Sequence, residues 1–261
     1  PLLESTILQS YRKTKMNDRL ELRALGQSKQ HELFGDTPPE SGHAAFDQFE
    51  QEFVFGRVWS RPGLDLASRM IATLSALCVG RRLSSLEHYI DAALDAGLSA
   101  QTINETFIQC GIYAGFSTTT KECLTLAQRV FDARGVSLPV AASRDDSLAL
   151  VAERGQEVMT TLHAERRHVG YANPENTIAS AFYPDVVQFC YGELWKRPGM
   201  EMRERAICAI ASFTALTFSG LVTKFSKAGL NCGLTQAEVV EVVIQTGPYT
   251  GLAPALMGLA A

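Results

Sequence analysis

The sequence predicts an all-α protein built from two six-helix units, and three observations support this class. Apolar residues recur at spacings of three and four along most of the 261 residues, as they do on one face of a helix. Alternation of apolar and polar residues between turn residues, the pattern of a half-buried strand, is nearly absent. The third observation is an internal repeat, in which FGRVWSRPG at 55–63 returns as YGELWKRPG at 191–199.

The repeat extends without a gap over 55–116 and 191–252, at an offset of 136 residues. Of these 62 positions 17 are identical, whereas unrelated sequences of ordinary composition match at roughly one position in sixteen. We therefore interpret the chain as two copies of one unit. The residues that differ between the copies become the informative ones for function.

Turn residues and helix caps place six helices in each copy. In the first copy Pro62 ends a helix, Gly97 provides a left-handed cap and Ser99 caps the next helix. In the second copy Thr235 and Glu238 form a capping box. The predicted helices of the first copy are 17–34, 44–59, 65–80, 84–96, 100–114 and 117–134. Those of the second copy are 145–166, 184–195, 201–217, 219–231, 236–247 and 252–261.

These helices divide the chain into four segments. Residues 1–16 form an N-terminal arm, 17–134 the first repeat, 135–144 a linker and 145–261 the second repeat. Each repeat is long enough to bury a core of its own or to share one with the other repeat.

Composition and charge limit the partners that the protein can have. Apolar residues make up 46% and charged residues 20%, and the formal net charge is −4. A chain without a basic excess is a poor partner for nucleic acid or for an anionic membrane surface. The apolar runs are shorter than a membrane-spanning helix, and the N-terminus lacks the order of a signal peptide. We therefore expect a cytoplasmic protein that contacts neither nucleic acid nor membrane.

The six cysteines are scattered, with no CxxC pair and no histidine at metal-ligand spacing. This pattern predicts neither a disulfide framework nor a metal site. We expect the thiols to be buried and free.

Two arginines and two glutamates keep their places in both copies inside otherwise apolar helices. Arg69 and Arg205 are in the third helix of each copy, and Glu105 and Glu241 are in the fifth. A buried guanidinium requires a carboxylate partner, which leaves two interpretations. The four residues form one structural Arg–Glu pair within each unit, or they belong to a site that binds a substrate carboxylate.

His88 is in the fourth helix, at the position that Lys224 occupies in the second copy. A histidine titrates near neutral pH, although a lone helical histidine is more often structural. Here the position is expected near Arg69, which favours a functional role. His163 lies beside a long loop of the second copy and either lines a pocket or lies in solvent. These differences favour the first copy as the seat of catalysis.

Aromatic residues mark both ends of the repeated stretch. Trp59 is expected to anchor packing, whereas Tyr113 and Phe116 form a tight corner between the fifth and sixth helices. Tyr249 is the counterpart of Tyr113 in the second copy. The hydroxyl of either tyrosine can point into a cavity.

The chain resembles the carboxymuconolactone decarboxylase family. The residues that carry the resemblance are FGRVWSRPGLDLASR, LEHYIDAALDAGLS and INETFIQCGIYAGF in the first copy, with YGELWKRPGMEMRER and EVVEVVIQTGPYTGLAPA in the second. The resemblance covers about 45–134 and 180–261. It implies the all-α fold shared with alkylhydroperoxidase D-type proteins, whose single-unit members form rings. It therefore also implies a homo-oligomer, a dimer or trimer of tandem chains.

Peroxidase-type members of this family use a glutamate, a CxxC pair and a histidine on the third and fourth helices. By resemblance these positions fall, in order, at Arg69, Arg81, Ser84 and His88. In the second copy they fall at Arg205, Thr217, Gly220 and Lys224. Both cysteines are therefore replaced in both copies, and dithiol redox chemistry lacks its nucleophile.

Decarboxylase-type members resemble the first copy more closely and imply a lyase that needs no metal and no organic cofactor. In such a site Arg69 would hold a substrate carboxylate, His88 would act as the acid, and Glu105 would orient His88 or carry the proton itself. The candidates for contact with a small-molecule substrate are Trp59, Tyr113, Phe116, Arg205, Lys224, Glu241, Tyr249 and His163.

Three functions remain open from the sequence. The first is cofactor-free decarboxylation of a carboxylated or enolisable lactone or β-keto-type molecule. The second is isomerisation, dehydration or cyclisation of a larger natural product, which needs the same proton donor in an apolar pocket. The third is a non-catalytic scaffold or binding protein, and peroxide reduction ranks behind all three.

Overall fold

Helices form all of the regular structure in the part of the chain that the structure, a computed structural model, describes. The described residues are 18–36, 38–117, 121–140, 145–164, 168–173 and 175–261. The predicted all-α class is confirmed for them. The predicted N-terminal arm at 1–16 lies outside the described residues, as do part of the linker and the end of the helix predicted at 145–166.

The helices of the first half end close to the predicted positions, because the caps act where the sequence places them. Gly97 has a φ of 89°, and the Ser99 hydroxyl oxygen accepts a hydrogen bond from the Thr102 N–H at 3.0 Å. The elements are α1 (Arg19–Phe34), α2 (Ala44–Glu50), a π-helical segment π1 (Gln51–Trp59), α3 (Leu66–Val79), α4 (Leu83–Asp95), α5 (Ala100–Ala114) and α6 (Lys121–Ala133).

The second half has the same order of helices. Its elements are α7 (Leu148–His163), a single turn α8 (Tyr183–Asp185), a π-helical segment π2 (Val186–Leu194), α9 (Met202–Ala215), α10 (Ser219–Asn231), α11 (Gln236–Thr250) and α12 (Leu252–Ala260). Subtracting 136 from the bounds of α9, α10 and α11 gives the bounds of α3, α4 and α5. The predicted capping box is present at the start of α11, where Thr235 and Glu238 satisfy each other's backbone N–H.

Two ranges predicted as continuous α-helices, 44–59 and 184–195, continue instead as π-helix. The Ser60 N–H donates to the Phe55 carbonyl at 3.1 Å, and the Trp195 N–H donates to the Cys190 carbonyl at 3.0 Å. Each bond spans five residues rather than four, which widens the helix. The period of an α-helix, about 3.6 residues, and the slightly longer period of a π-helix give nearly the same apolar pattern over nine residues. The sequence therefore predicts a helix in each range but not its type.

Contacts separate the chain into two compact units, residues 1–65 and 66–261. The smaller unit is held by a close crossing of α1 and π1. A Cβ added at Gly26 would lie 1.7 Å from the Gln51 carbonyl oxygen, so only glycine fits there. Glu52 lies between two arginines of α1, Arg19 at 2.8 Å and Arg23 at 2.6 Å.

The larger unit is organised around α3 and α9, which pack against each other and against α5 and α11. Nearly every side chain of α3 and α9 is buried. Around this centre α4 packs on α3, and α10 packs on α9. The predicted boundaries of the two repeats stay a prediction, since both central pairs lie within this one unit.

The α7–π2 pair of the larger unit crosses on glycine in the same manner as α1 and π1. A Cβ at Gly155 would lie 2.3 Å from the Val187 carbonyl oxygen, and one at Gly192 would lie 2.0 Å from the Val151 carbonyl oxygen. The backbones of these helices are therefore in direct contact. In addition, α7 packs against α10, which brings the end of α7 beside Lys224.

Candidate functional site

The two buried arginines of the central helices find their carboxylates in the opposite half of the chain. Arg69 on α3 donates to Glu241 and to Gln245 on α11, each at 2.9 Å. The expectation of an Arg–Glu pair within each unit is therefore wrong. Spacing along the sequence shows which residues face the core, but not which helix lies opposite them.

The reciprocal pair has the same geometry. Arg205 on α9 donates to Glu105 on α5 at 3.2 Å and to Gln109 at 2.8 Å. Arg197 also donates to both carboxylate oxygens of Glu105, at 3.0 Å each. Arg197 and Gln109 were not predicted as site residues, although each is identical to its counterpart in the other copy, Arg61 and Gln245.

These contacts change what the buried charges can do. Arg69 and Glu241 are 2% and 0% exposed, and Arg205 and Glu105 are 0% and 3% exposed. Both terminal nitrogens of Arg69 and both of Arg205 donate to protein oxygens. The four residues therefore join α3 to α11 and α9 to α5. In each pair, the hydrogen-bonded opposite charge offsets the free-energy cost of burying the other charge.

His88 lies elsewhere on the unit, on the exposed side of α4. Its Nδ1 is 2.9 Å from the Ser84 carbonyl oxygen. A carbonyl oxygen only accepts hydrogen bonds, so Nδ1 carries the hydrogen and Nε2 is the atom that can accept a further proton. The described hydrogen bonds of Glu105 go to arginines, so the expected contact between Glu105 and His88 is not formed.

The counterpart of His88 lines a cavity in the second half. Lys224 on α10 is half-buried and faces a cavity of about 250 Å³. Its described lining comprises Leu162, His163, Val169, Gly220, Thr223, Lys224, Lys227 and Asn231. Lys227 and Asn231 were not predicted, although they follow Lys224 at helical spacings of three and seven.

His163 is the most deeply buried polar residue of this cavity, with 6% of its surface exposed. Burial and the nearby positive charge of Lys224 lower its pKa from 6.5 to about 4. Its Nε2 has no hydrogen-bond partner among the described residues. At neutral pH the ring is therefore uncharged and carries an unused polar atom.

Aromatic rings continue from His163 into the core. The imidazole is 5.4 Å from the ring of Phe225 and 6.4 Å from that of Tyr191, in edge-to-face contact with both. Phe225 lies next to Phe213, at 5.0 Å, and Tyr113 lies 4.6 Å from Phe213. These contacts fix the orientation of the His163 ring.

The two tyrosines of the repeated motif are used within the fold. Tyr113 accepts a hydrogen bond from Gln109 at 2.9 Å, and burial raises its pKa well above the usual range. The Tyr249 hydroxyl is 2.7 Å from that of Tyr89 on α4. Phe116 is exposed, and Trp59 is 2% exposed at the end of π1. The structure thus brings His163 and Lys224 together, but it does not bring Arg69, His88 and Glu105 to one point.

In both copies the first position of the missing cysteine pair lies in a turn, and the second lies at the start of the following helix, α4 or α10. The first position is Arg81 in the first copy and Thr217 in the second. Both residues have a positive φ, of 54° and 62°. All six cysteines are free. Cys78, Cys110, Cys123 and Cys208 are buried, whereas Cys190 and Cys232 are half-buried, so the expectation of buried thiols holds for four of the six.

Metal binding and membrane insertion are two further properties that side chains and helices can indicate. Among the described residues, no group of three or more His, Cys, Asp or Glu side chains is placed to hold a metal ion. No helix within those residues is both long and apolar enough to cross a membrane.

Comparisons with known proteins agree with the helical fold. Residues 44–129 match the sequence profile of the Carboxymuconolactone decarboxylase family. A 4-carboxymuconolactone decarboxylase of Acinetobacter baylyi (strain ATCC 33305 / BD413 / ADP1) is 29% identical over 100 residues, which are 38% of this chain and 73% of that protein. An uncharacterized 15.0 kDa protein in the nqo9-nqo10 intergenic region of Paracoccus denitrificans is 33% identical over 82 residues, which are 31% of this chain and 60% of that protein.

The molecule is thus an all-α protein whose two halves contribute reciprocal buried pairs to one central helix layer. Over residues 44–129, it is similar to the carboxymuconolactone decarboxylase family. His88 lies within the matched residues, whereas Lys224 and His163 lie outside them.

Proposed function

We propose that the protein is a cofactor-independent acid–base lyase of the decarboxylase type. Its substrate would be a small carboxylated or enolisable molecule, a lactone or a β-keto acid. The observation that carries this proposal is the match of residues 44–129 to the carboxymuconolactone decarboxylase family, since this stretch contains His88. The curated relative from Acinetobacter is itself named as a decarboxylase.

The chemistry assigned to His88 follows from its hydrogen bond. With Nδ1 donating to the Ser84 carbonyl, the ring has a fixed tautomer and Nε2 remains exposed for a proton. In the reaction the carbon–carboxylate bond breaks, its electron pair passes into the carbonyl or lactone of the substrate, and CO₂ leaves. The imidazolium then returns a proton to the carbon or to the enolate oxygen. An electron sink within the substrate makes a cofactor unnecessary for this step.

The role proposed for Arg69 and Glu105 differs from the one expected from sequence. Both donate or accept within buried protein pairs, so holding the substrate carboxylate is not supported for Arg69, and proton transfer is not supported for Glu105. We assign both to positioning the helices around the site. Their loss is therefore expected to lower stability first.

The test is release of CO₂ without oxygen from a panel of γ-lactone carboxylates and β-keto acids. The variant His88→Gln should lose on the order of 10²- to 10⁴-fold in turnover, the range of general acid–base catalysis. His31→Gln is a matched control, because His31 is also exposed and its Nδ1 also pairs with a carbonyl oxygen, that of Gly35 at 3.1 Å. Unchanged turnover in His88→Gln, with unchanged helicity, would remove His88 from the mechanism.

The alternatives give different outcomes in the same assay. Substrate consumed without CO₂ would favour the isomerase, dehydratase or cyclase of a larger natural product. A non-catalytic scaffold gains support from the hydrogen bonds that both terminal nitrogens of Arg69 and of Arg205 make within the protein, and it would show binding without turnover. The expected homo-oligomer stays a prediction, which light scattering of the intact chain checks.

A further inference from the structure

The cavity beside α10 has the charge pattern of an anion site. Its eight described lining residues include two lysines, Lys224 and Lys227, and no carboxylate. The Nδ2 of Asn231 donates to the Leu162 carbonyl at 3.0 Å, which ties the end of α7 to α10 and fixes two walls of the cavity. A negative charge entering this space would meet two ammonium groups at little cost in reorganisation.

His163 supplies a second and independent indication of a ligand. More than nine-tenths of the residue is buried, and its Nε2 lacks a partner among the described residues. A buried polar atom without a hydrogen bond destabilises the folded protein by about 1–3 kcal/mol. Such an atom is therefore suited to form its hydrogen bond with a ligand. The edge-to-face contacts with Phe225 and Tyr191 hold the ring in place for such a bond.

The rest of the lining indicates what the anion is attached to. Leu162 and Val169 are apolar, and Gly220 presents no side chain. The volume of about 250 Å³ is slightly below that of typical small-molecule sites, which measure about 300–1,000 Å³. A single ring or a short chain fits this space, whereas a polycyclic molecule does not.

We propose that this cavity binds a small carboxylate with an apolar body, its carboxylate between the Lys224 ammonium and His163 Nε2 and its body against Leu162 and Val169. The site lies in the second half of the chain, outside the stretch that matches the family. It does not depend on proton transfer by His88, so the binding experiment and the turnover experiment can fail separately.

The charges around His163 determine how binding responds to pH. The described titratable or charged side chains that face it are Lys224 and Lys227 from α10 and Tyr191 from π2. A bound carboxylate counters the positive charge of the lysines, so it raises the pKa of His163 from about 4 towards its ordinary value. Binding of the carboxylate is therefore accompanied by a rise in the fraction of protonated His163 below neutral pH.

The experiment is calorimetric titration of the intact chain with sodium benzoate at pH 7, beside benzyl alcohol and sodium sulfate. Benzoate should bind, and the neutral alcohol and the inorganic anion should each bind at least tenfold more weakly. Lys224→Gln should weaken benzoate at least tenfold, whereas Lys224→Arg, which keeps the charge, should retain binding. Lys121→Gln on α6 removes a lysine outside the cavity and should leave the affinity unchanged.

Nitrogen NMR of the histidine rings provides the second readout and follows the wild-type chain itself. His163, assigned by its loss in His163→Gln, should shift on adding benzoate, and its pKa should rise. Benzoate affinity equal in wild type and folded Lys224→Gln would overturn the proposal. So would a His163 signal that benzoate leaves unmoved, or sulfate that binds as tightly as benzoate.

Discussion

The helices α4 and α10 have the same length and the same bounds at an offset of 136, yet their outward positions differ. On α4 this position is His88, exposed and bonded to the carbonyl one turn earlier. On α10 it is Lys224, half-buried on a cavity that also contains His163. Two helices with matching bounds therefore carry different side chains at this outward position.

By contrast, the arginines, glutamates and glutamines that join α3 to α11 and α9 to α5 are both shared and buried. Arg69 and Arg205 each reach a glutamate and a glutamine of the opposite half. A feature kept in both copies therefore reports on the shared framework. Function is better sought among the positions that differ.

The largest expected effect tests the framework. Glu105→Gln removes the charge that Arg197 and Arg205 both contact and should destabilise the protein by about 3–5 kcal/mol, the cost of orphaning a buried charge. Glu241→Gln, which leaves Arg69 without its carboxylate, should have an effect of the same sign and order. Urea unfolding measures both.

A loss of turnover in Glu105→Gln at unchanged stability would contradict this comparison. It would return Glu105 to the catalytic role that the sequence suggested. Gln245→Glu is a useful companion, because it adds a second carboxylate beside Arg69 without removing the first.

The next effect tests the glycine crossings of the two halves. Gly192→Ala places a methyl group 2.0 Å from the Val151 carbonyl oxygen, and Gly26→Ala places one 1.7 Å from that of Gln51. Each should cost about 3 kcal/mol, since the backbones must separate. Thermal unfolding should show both losses.

Gly220→Ala serves as the control for these substitutions. It lies in a helix, and nothing is within 4 Å of the added carbon. The change should stabilise the protein by about 0.5–1 kcal/mol through helix propensity. A loss at Gly220 as large as that at Gly192 would show that the crossings have no special role.

The smallest effect concerns His163 and the dependence of stability on pH. Its pKa of about 4 in the folded chain lies below the ordinary 6.5, so the unfolded chain takes up the proton first as the pH falls. The stability contributed by the neutral ring is present above pH 6.5 and should fall by about 2 kcal/mol between pH 7 and pH 5. His163→Gln should lack this part of the pH dependence.

Denaturant unfolding of both proteins at pH 7 and pH 5 measures the difference. Parallel pH curves for wild type and His163→Gln would show that His163 is not held neutral in the folded chain.

Much of the fold could be predicted from sequence because local signals determine helices. Ser99, Thr235 and Gly97 act at the predicted ends, and periodicity identifies the buried faces between them. The π-helical segments were missed because nine residues are too few to separate two similar periods. The pairing of Arg69 with Glu241 was missed because periodicity says nothing about which helix lies opposite.

The candidate site was predicted in part. Lys224 and His163 were both named as candidates, but their shared cavity depends on packing between α7 and α10, which are separated in sequence by a loop, π2 and α9. His88 was identified by its difference from the other copy, a signal that depends on sequence alone. Arg69 and Glu105 were placed beside it because a buried charge resembles a catalytic one until its partners are known.

The reciprocal arginine pairs have a consequence for the integrity of the chain. Separating the two halves would take from each buried arginine the carboxylate that it contacts in the other half. Two identical fragments could restore the pattern only by associating through the same surfaces. Because the two halves are covalently joined, each meets the other at a constant effective concentration. The outward side chains of the two halves can then differ without disturbing the buried pairs.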